Sequence, residues 1–311
     1  MKRVKTFFLT FLLLICIPAA TLQAQHREHN ILVDSAILKA TLGDYQAALV
    51  DFDKAIHSDS MNAEAYYNRG LVNNELRDYK SAIGDFNKTI SLRKTSVEPY
   101  FNRALAKDGL KDYEGAIADY NTVLTFKADY TEAYHNKAID LMELGHYSEA
   151  RMNFTRALHY RPFFPEAIYN RGLCLYYEKD FQGAIKDFDE AIKQDSTQAE
   201  YYASRGAAKA SAGLFREAEQ DFGRVLSISP DDVTAMKDKA LAQLYLKEFE
   251  DAMLTYSQVI ELKPDDAEAY TNRGVAEQYI GKKTDACRDW NKAVELGYGK
   301  ATAYLKKYCN N

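Results

Sequence analysis

Residues 63–96 read AEAYYNRGLVNNELRDYKSAIGDFNKTISLRKTS, and this stretch decides the fold. Ala65, Tyr66, Arg69, Gly70 and Asn73 precede a turn at Arg77-Asp78, and a second stripe follows at Tyr79, Ala82, Ile83, Phe86 and Ile90. The i, i+3, i+4, i+7 spacing predicts two helices, each with one buried face.

The same pattern recurs along the chain. Alanine stands four residues before an aromatic in Ala48/Phe52, Ala82/Phe86, Ala116/Tyr120, Ala150/Phe154, Ala184/Phe188, Ala218/Phe222, Ala252/Tyr256 and Ala286/Trp290. Each pair lies 34 residues after the last, with no insertion. A fixed period of this length marks an array of stacked units rather than a globule around one pocket. The units are 29–62, 63–96, 97–130, 131–164, 165–198, 199–232, 233–266 and 267–300. No Gly/Ser linker or composition break divides them, so the array reads as one domain.

The eighth position of each unit is small: Ala36, Gly70, Ala104, Ala138, Gly172, Gly206, Ala240 and Gly274. A small residue there lets the paired helices approach closely. Pro162, Pro230 and Pro264 close their units, where a helix must stop.

These residues resemble the tetratricopeptide repeat family over 29–300. The family's first-helix Trp is replaced by Tyr66, Tyr100, Tyr134, Tyr202 and Tyr270, and its Leu by Arg69, Arg103 or Lys137. The resemblance implies an all-α, right-handed superhelical α-solenoid of helix-turn-helix repeats whose first helices line a concave groove. A short C-terminal helix, 301–308, is expected to cap it, within a final segment 301–311. Cochaperones of this family grip acidic C-termini with Asn at position nine. That position is apolar here, from Ile37 and Leu71 to Leu241 and Val275, so no such grip is expected.

The N-terminus differs. Lys2, Arg3 and Lys5 precede an apolar run from Thr6 to Ile17 and a small-residue stretch ending at Ala24. This reads as a signal peptide, 1–24, followed by a short tail, 25–28. The run is too short for a comfortable membrane span. A retained anchor is the alternative to cleavage. The expected location is periplasmic or secreted, in a Gram-negative bacterium. Loss of the three basic residues takes the formal net charge from −5 to −8. That balance argues against nucleic acid, which is bound through cationic phosphate contacts.

Three cysteines follow the leader: Cys174, Cys287 and Cys309. Cys309 ends the capping helix and Cys287 lies on the second helix of the last repeat. They are candidates for a disulfide in an exported chain, or for two buried thiols.

Little in the sequence suggests catalysis. There is no His-Glu-x-x-His, no Gly-x-Ser-x-Gly and no Cys-x-x-Cys. Gly281-Lys282-Lys283-Thr284 lacks the first glycine of a phosphate loop. His26 and His29 read as part of a solvated tail rather than a metal site. No enzyme activity, metal or cofactor is expected.

The groove is more informative. Asn68, Asn102, Asn136, Asn170 and Asn272 share the sixth position, with Asp34, Ser204 and Asp238 in other units. An Asn amide can donate to one backbone group of an extended peptide and accept from another. This resembles the asparagine ladder in the repeat arm of protein O-GlcNAc transferases. The alternative is that these amides bond neighbouring repeats. Position five adds Tyr67, Phe101, His135 and Tyr169, either as contacts for a partner or as packing between first helices. Position two carries Glu64, Glu98, Glu132, Glu166, Glu200 and Glu268, as an acidic rim or as charges favourable at helix N-termini.

Arg at position seven coincides with Asp at position 23 in Arg69/Asp85, Arg103/Asp119, Arg171/Asp187, Arg205/Asp221 and Arg273/Asp289. The units with Lys137 and Lys239 have Asn153 and Thr255 instead. The expectation is a bidentate clamp between the two helices of a unit.

The sequence thus reads as an exported, non-enzymatic scaffold that binds a protein or an extended peptide in its groove. The alternative is a structural adaptor of a bacterial envelope assembly, docking by its convex face or ends. Repeat one carries Ile31, Leu32 and Ile37, an apolar surface for a chain end.

Overall fold

The computed structural model describes the backbone of residues 22–309 and the side chains of residues 31–309. The signal-peptide reading falls mainly on residues 1–21, outside this range. The first helix, α1 (Leu22–Thr41), includes residues 25–28, which the sequence assigns to a tail.

The described residues form helices joined by short turns. Those of the first unit are α1, α2 (Tyr45–Ser58), α3 (Ala63–Glu75), α4 (Tyr79–Leu92), α5 (Val97–Gly109), α6 (Tyr113–Phe126), α7 (Thr131–Glu143) and α8 (Tyr147–Tyr160). Those of the second are α9 (Pro165–Tyr177), α10 (Phe181–Gln194), α11 (Ala199–Ser211), α12 (Phe215–Ile228), α13 (Val233–Tyr245), α14 (Phe249–Leu262), α15 (Ala267–Tyr279), α16 (Lys283–Glu295) and α17 (Ala301–Tyr308).

The two compact units meet between Pro162 and Phe163, where the sequence suggests no break. Prolines bracket the junction. α8 ends two residues before Pro162, and Pro165 occupies the first turn of α9, where its missing N–H costs nothing. Each unit is an α-solenoid of four helix pairs.

Within a pair, the turn is set by one residue in the left-handed region. Gly43, Gly145, Gly213 and Gly281 take this place in four repeats, and Arg77, Lys111, Lys179 and Lys247 in the others, at φ of 62–65°. The next residue is often an aspartate that caps the second helix: Asp44, Asp78, Asp112 and Asp180 accept from the amides of Ala47, Ser81, Gly115 and Gly183.

The core is linear. Its buried aromatics at the equivalent position are Phe52, Phe86, Tyr120, Phe154, Phe188, Phe222, Tyr256 and Trp290, one per repeat. A Cβ on Gly70, Gly172 or Gly206 would lie 2.7–2.8 Å from the facing Phe ring. The small eighth residue therefore sets how far that ring enters the helix pair. At the first repeat, Leu32 and Ile37 pack onto the core, while Ile31 and Leu38 are exposed.

At the other end α17 covers the last repeat. Tyr304 and Tyr308 stack on Trp290 with ring centroids 5.2 and 5.7 Å away, and a Cys287–Cys309 disulfide ties α17 to α16. The bridge closes a loop of 22 residues. Such a cross-link stabilises by about 3 kcal/mol through the unfolded chain. Cys309→Ser should therefore loosen the end of the array, seen as earlier thermal exposure of Trp290 by fluorescence. A reductant should affect the wild type in the same way and leave the variant unchanged.

Candidate interaction face

The first helices, α1, α3, α5 and α7 in one unit and α9, α11, α13 and α15 in the other, carry every residue expected to line the groove. The arginine clamps come first, because they fix how these helices sit. All five are bidentate. Arg69 reaches Asp85 at 3.1 and 2.6 Å, Arg103 reaches Asp119 at 2.9 and 2.5 Å, and Arg171 reaches Asp187 at 2.7 and 2.7 Å. Arg205 reaches Asp221 at 2.9 and 2.5 Å, and Arg273 reaches Asp289 at 2.6 and 2.9 Å.

The clamp has two further parts. The remaining Nη1 of Arg69, Arg103, Arg205 and Arg273 donates back to the preceding repeat, to Asp53, Asn87, Asp189 and Ser257. Each of these guanidiniums also lies 5.4–5.5 Å from a tyrosine ring three residues earlier: Tyr66, Tyr100, Tyr202 and Tyr270. One side chain thus joins two helices of its own repeat to the repeat before it. The Asp bonds hold Arg69 and Arg273 charged, above the ordinary guanidinium value. Lys137 lacks such an acid, and burial pushes its ammonium down.

The asparagine series is placed differently from an open ladder. Asn102, Asn136 and Asn170 are buried. The Asn102 amide donates to the Glu98 carbonyl and to the Tyr67 hydroxyl of the preceding repeat, each at 3.0 Å. Tyr169 makes the equivalent link to Ser204 at 3.0 Å. Asn272 is half-buried and bonds the Tyr256 hydroxyl. Asn68, also half-buried, donates to the Glu64 carbonyl at 2.9 Å.

The position-five residues turn inward as well. Phe101 and His135 are buried, and Phe101 packs against Tyr120 and Tyr130. Tyr67 packs against Phe86, and Tyr169 against Phe188 and Tyr201. Buried residues offer no surface to a ligand. Phe101, Asn102, Asn136 and Asn170 are therefore closed to one in this structure, and the Tyr67 and Tyr169 hydroxyls are occupied between repeats. The reason is spacing. Positions five and six fall where successive first helices touch, so Tyr67 with Asn102 and Tyr169 with Ser204 pair their polar atoms across that contact.

A cleft between α1 and α3 is open. Ile37, Ala40, Leu71, Val72 and Phe52 form its apolar wall, with Thr41, Tyr45, Asn68 and Glu75 around it. In the second unit, Leu241 is exposed on α13. Two further surface tyrosines stack face to face on the preceding repeat: Tyr245 on Phe215 and Tyr279 on Phe249, each at 4.4 Å. Among the described residues no group of three or more His, Cys, Asp or Glu could hold a metal ion. No helix there is long and apolar enough to cross a membrane.

Helix pairs of 34 residues, each closed by a small-to-aromatic contact between its two helices, define a helical-repeat protein. The chain belongs to the tetratricopeptide repeat family, whose models match residues 40–76, 63–96, 97–130, 135–199 and 240–278. No curated protein matches it. Among solved structures it is similar to the C-terminal part of a TPR repeat-containing protein from Cytophaga hutchinsonii, at 21% identity and TM-score 0.68, over 77% of this chain and 99% of that one. It is also similar to pilF of Pseudomonas aeruginosa, at 14% identity and TM-score 0.57, over 71% and 99%. A third is YrrB, described as a TPR protein with an unusual peptide-binding site, at 23% identity and TM-score 0.55, over 59% and 95%.

Proposed function

We propose that this chain is an exported, non-enzymatic scaffold that holds an extended peptide segment of a partner protein against its first helices. The observation that carries the reading is the α1–α3 cleft. Its apolar floor suits one apolar side chain, the Asn68 amide at its rim suits a peptide group, and Glu75 suits a basic residue. Helices α1 and α3, held by the Lys39–Asp51 and Arg69–Asp85 pairs, present this surface with little entropy lost on the protein side. YrrB, a protein of the same fold, is described as binding peptide. The Cys287–Cys309 disulfide supports export, because such bonds persist in oxidising compartments.

The test is a crosslinking pull-down from envelope fractions, comparing wild type with Thr41→Arg/Asn68→Ala. Thr41 is exposed, so the arginine fills the cleft without entering the core. The captured partner should fall about tenfold, equivalent to ~1.4 kcal/mol, while circular dichroism stays unchanged. Undiminished capture would remove the groove reading. It would favour docking on second helices, which expose Val50, Met152 and Leu254 at one shared repeat position.

A further inference from the structure

Position 11 of a first helix faces position 23 of the second helix in the same repeat. Lys39 reaches Asp51 at 2.5 Å, Asn73 reaches Asp85 at 3.0 Å, and Lys107 and Lys209 reach Asp119 and Asp221 at 2.8 Å. In the seventh repeat the Thr255 hydroxyl donates to Gln243 at 3.0 Å. Each pairing sets a donor against an acceptor. Repeats four and five have Leu141 and Leu175 at position 11.

The eighth repeat breaks the rule. There position 11 is Glu277 and position 23 is Asp289. Glu277 is only 7% exposed, and its Oε2 has no hydrogen-bond partner. Both Asp289 oxygens are already taken by Arg273. Two buried carboxylates sharing one guanidinium cannot both stay charged without cost.

We infer that Glu277 is a proton-operated latch on the last helix pair: protonated, it lies quietly between α15 and α16, and ionised, it drives them apart. The surroundings agree. Burial, and then the charge of Asp289, push its carboxyl up to about 7, with Asp285 adding to the rise and Arg273 and Lys282 opposing it. On the α14 side, the place that Glu219 holds beside Gln243 is filled by uncharged Met253. The α13 cation Lys237 is engaged with Asp266 and Glu268, and Asp238 lies on the same helix beside it. No histidine occurs between residues 233 and 309.

The sign follows from linkage. The folded carboxyl titrates above its unfolded value, so its contribution is complete below about pH 4.5 and lost as pH rises through about 7. The end of the array is then tightest in mildly acidic surroundings. The disulfide keeps α17 joined to α16 in either state.

Trp290, the chain's one tryptophan, adjoins Asp289, and its indole donates to the Thr271 carbonyl at 3.0 Å. The experiment follows the Glu277 carboxyl by carbon-13 NMR, together with Trp290 fluorescence and thermal unfolding, from pH 5 to 8.5. Wild type should titrate with a midpoint near 7, with a Trp290 change at the same midpoint and a Tm that falls across it. Glu277→Gln should abolish the fluorescence transition. Glu277→Lys should do so too, restoring the Lys–Asp pairing of other repeats, with a Tm at pH 8 above wild type. A Glu277 midpoint in the ordinary carboxylate range overturns the inference. So does a Trp290 transition near pH 7 that survives in either variant.

Discussion

Arg171→Ala is expected to lower stability by about 2–4 kcal/mol, toward the lower part of the range for breaking a buried pair because its side chain is 27% exposed. The reason is the carboxylate left behind. Asp187 is buried and takes both of its clamp bonds from Arg171, while position 11 of that repeat is Leu175, which cannot substitute as a donor. Arg205→Ala should cost about half as much, because Lys209 stays 2.8 Å from Asp221. Arg171→Lys should not restore the loss, since an ammonium lacks the planar fork. Urea unfolding of the three variants checks this, and equal losses for Arg171→Ala and Arg205→Ala would refute the account.

Phe188→Ala should cost about 3–5 kcal/mol. The ring is fully buried and packs on Tyr169 at 5.6 Å. It also lies over Gly172, which has no side chain to move into the space. The cavity therefore stays open, and the cost adds to the loss of buried area. Because a repeat contacts only its neighbours, the damage should be local. Hydrogen exchange should accelerate in α9 and α10 and stay unchanged in α3 and α4. Uniform acceleration along the chain would contradict a core built repeat by repeat. Conversely, Gly172→Val would overfill the same place and should cost about 1–3 kcal/mol.

The expected site was legible in kind but not in side. Position six does carry an amide series, yet Asn102 spends its donors on Glu98 and Tyr67, and Asn136 and Asn170 are buried. Period alone places a residue on the first helix. It does not say whether a neighbouring helix covers it. One signal was available in the sequence: tyrosine at position five followed 35 residues later by a polar residue, as in Tyr67/Asn102 and Tyr169/Ser204. That pairing is an inter-repeat bond, and it competes directly with peptide reading. The α1–α3 cleft could not be found this way, because its wall joins residues of two repeats.

The sequence by itself determined the repeat, the two helices within it, their turns and the internal Arg–Asp clamp. All of these rest on spacing within 34 residues, where chain geometry leaves few alternatives. Only the tertiary structure decided the third arginine bond to the preceding repeat, the division at Pro162, and the burial of Glu277 with one carboxylate oxygen unpartnered. These depend on how separate helices are set against one another. A side chain's partner across such a contact is chosen by packing, which no periodicity in the chain records.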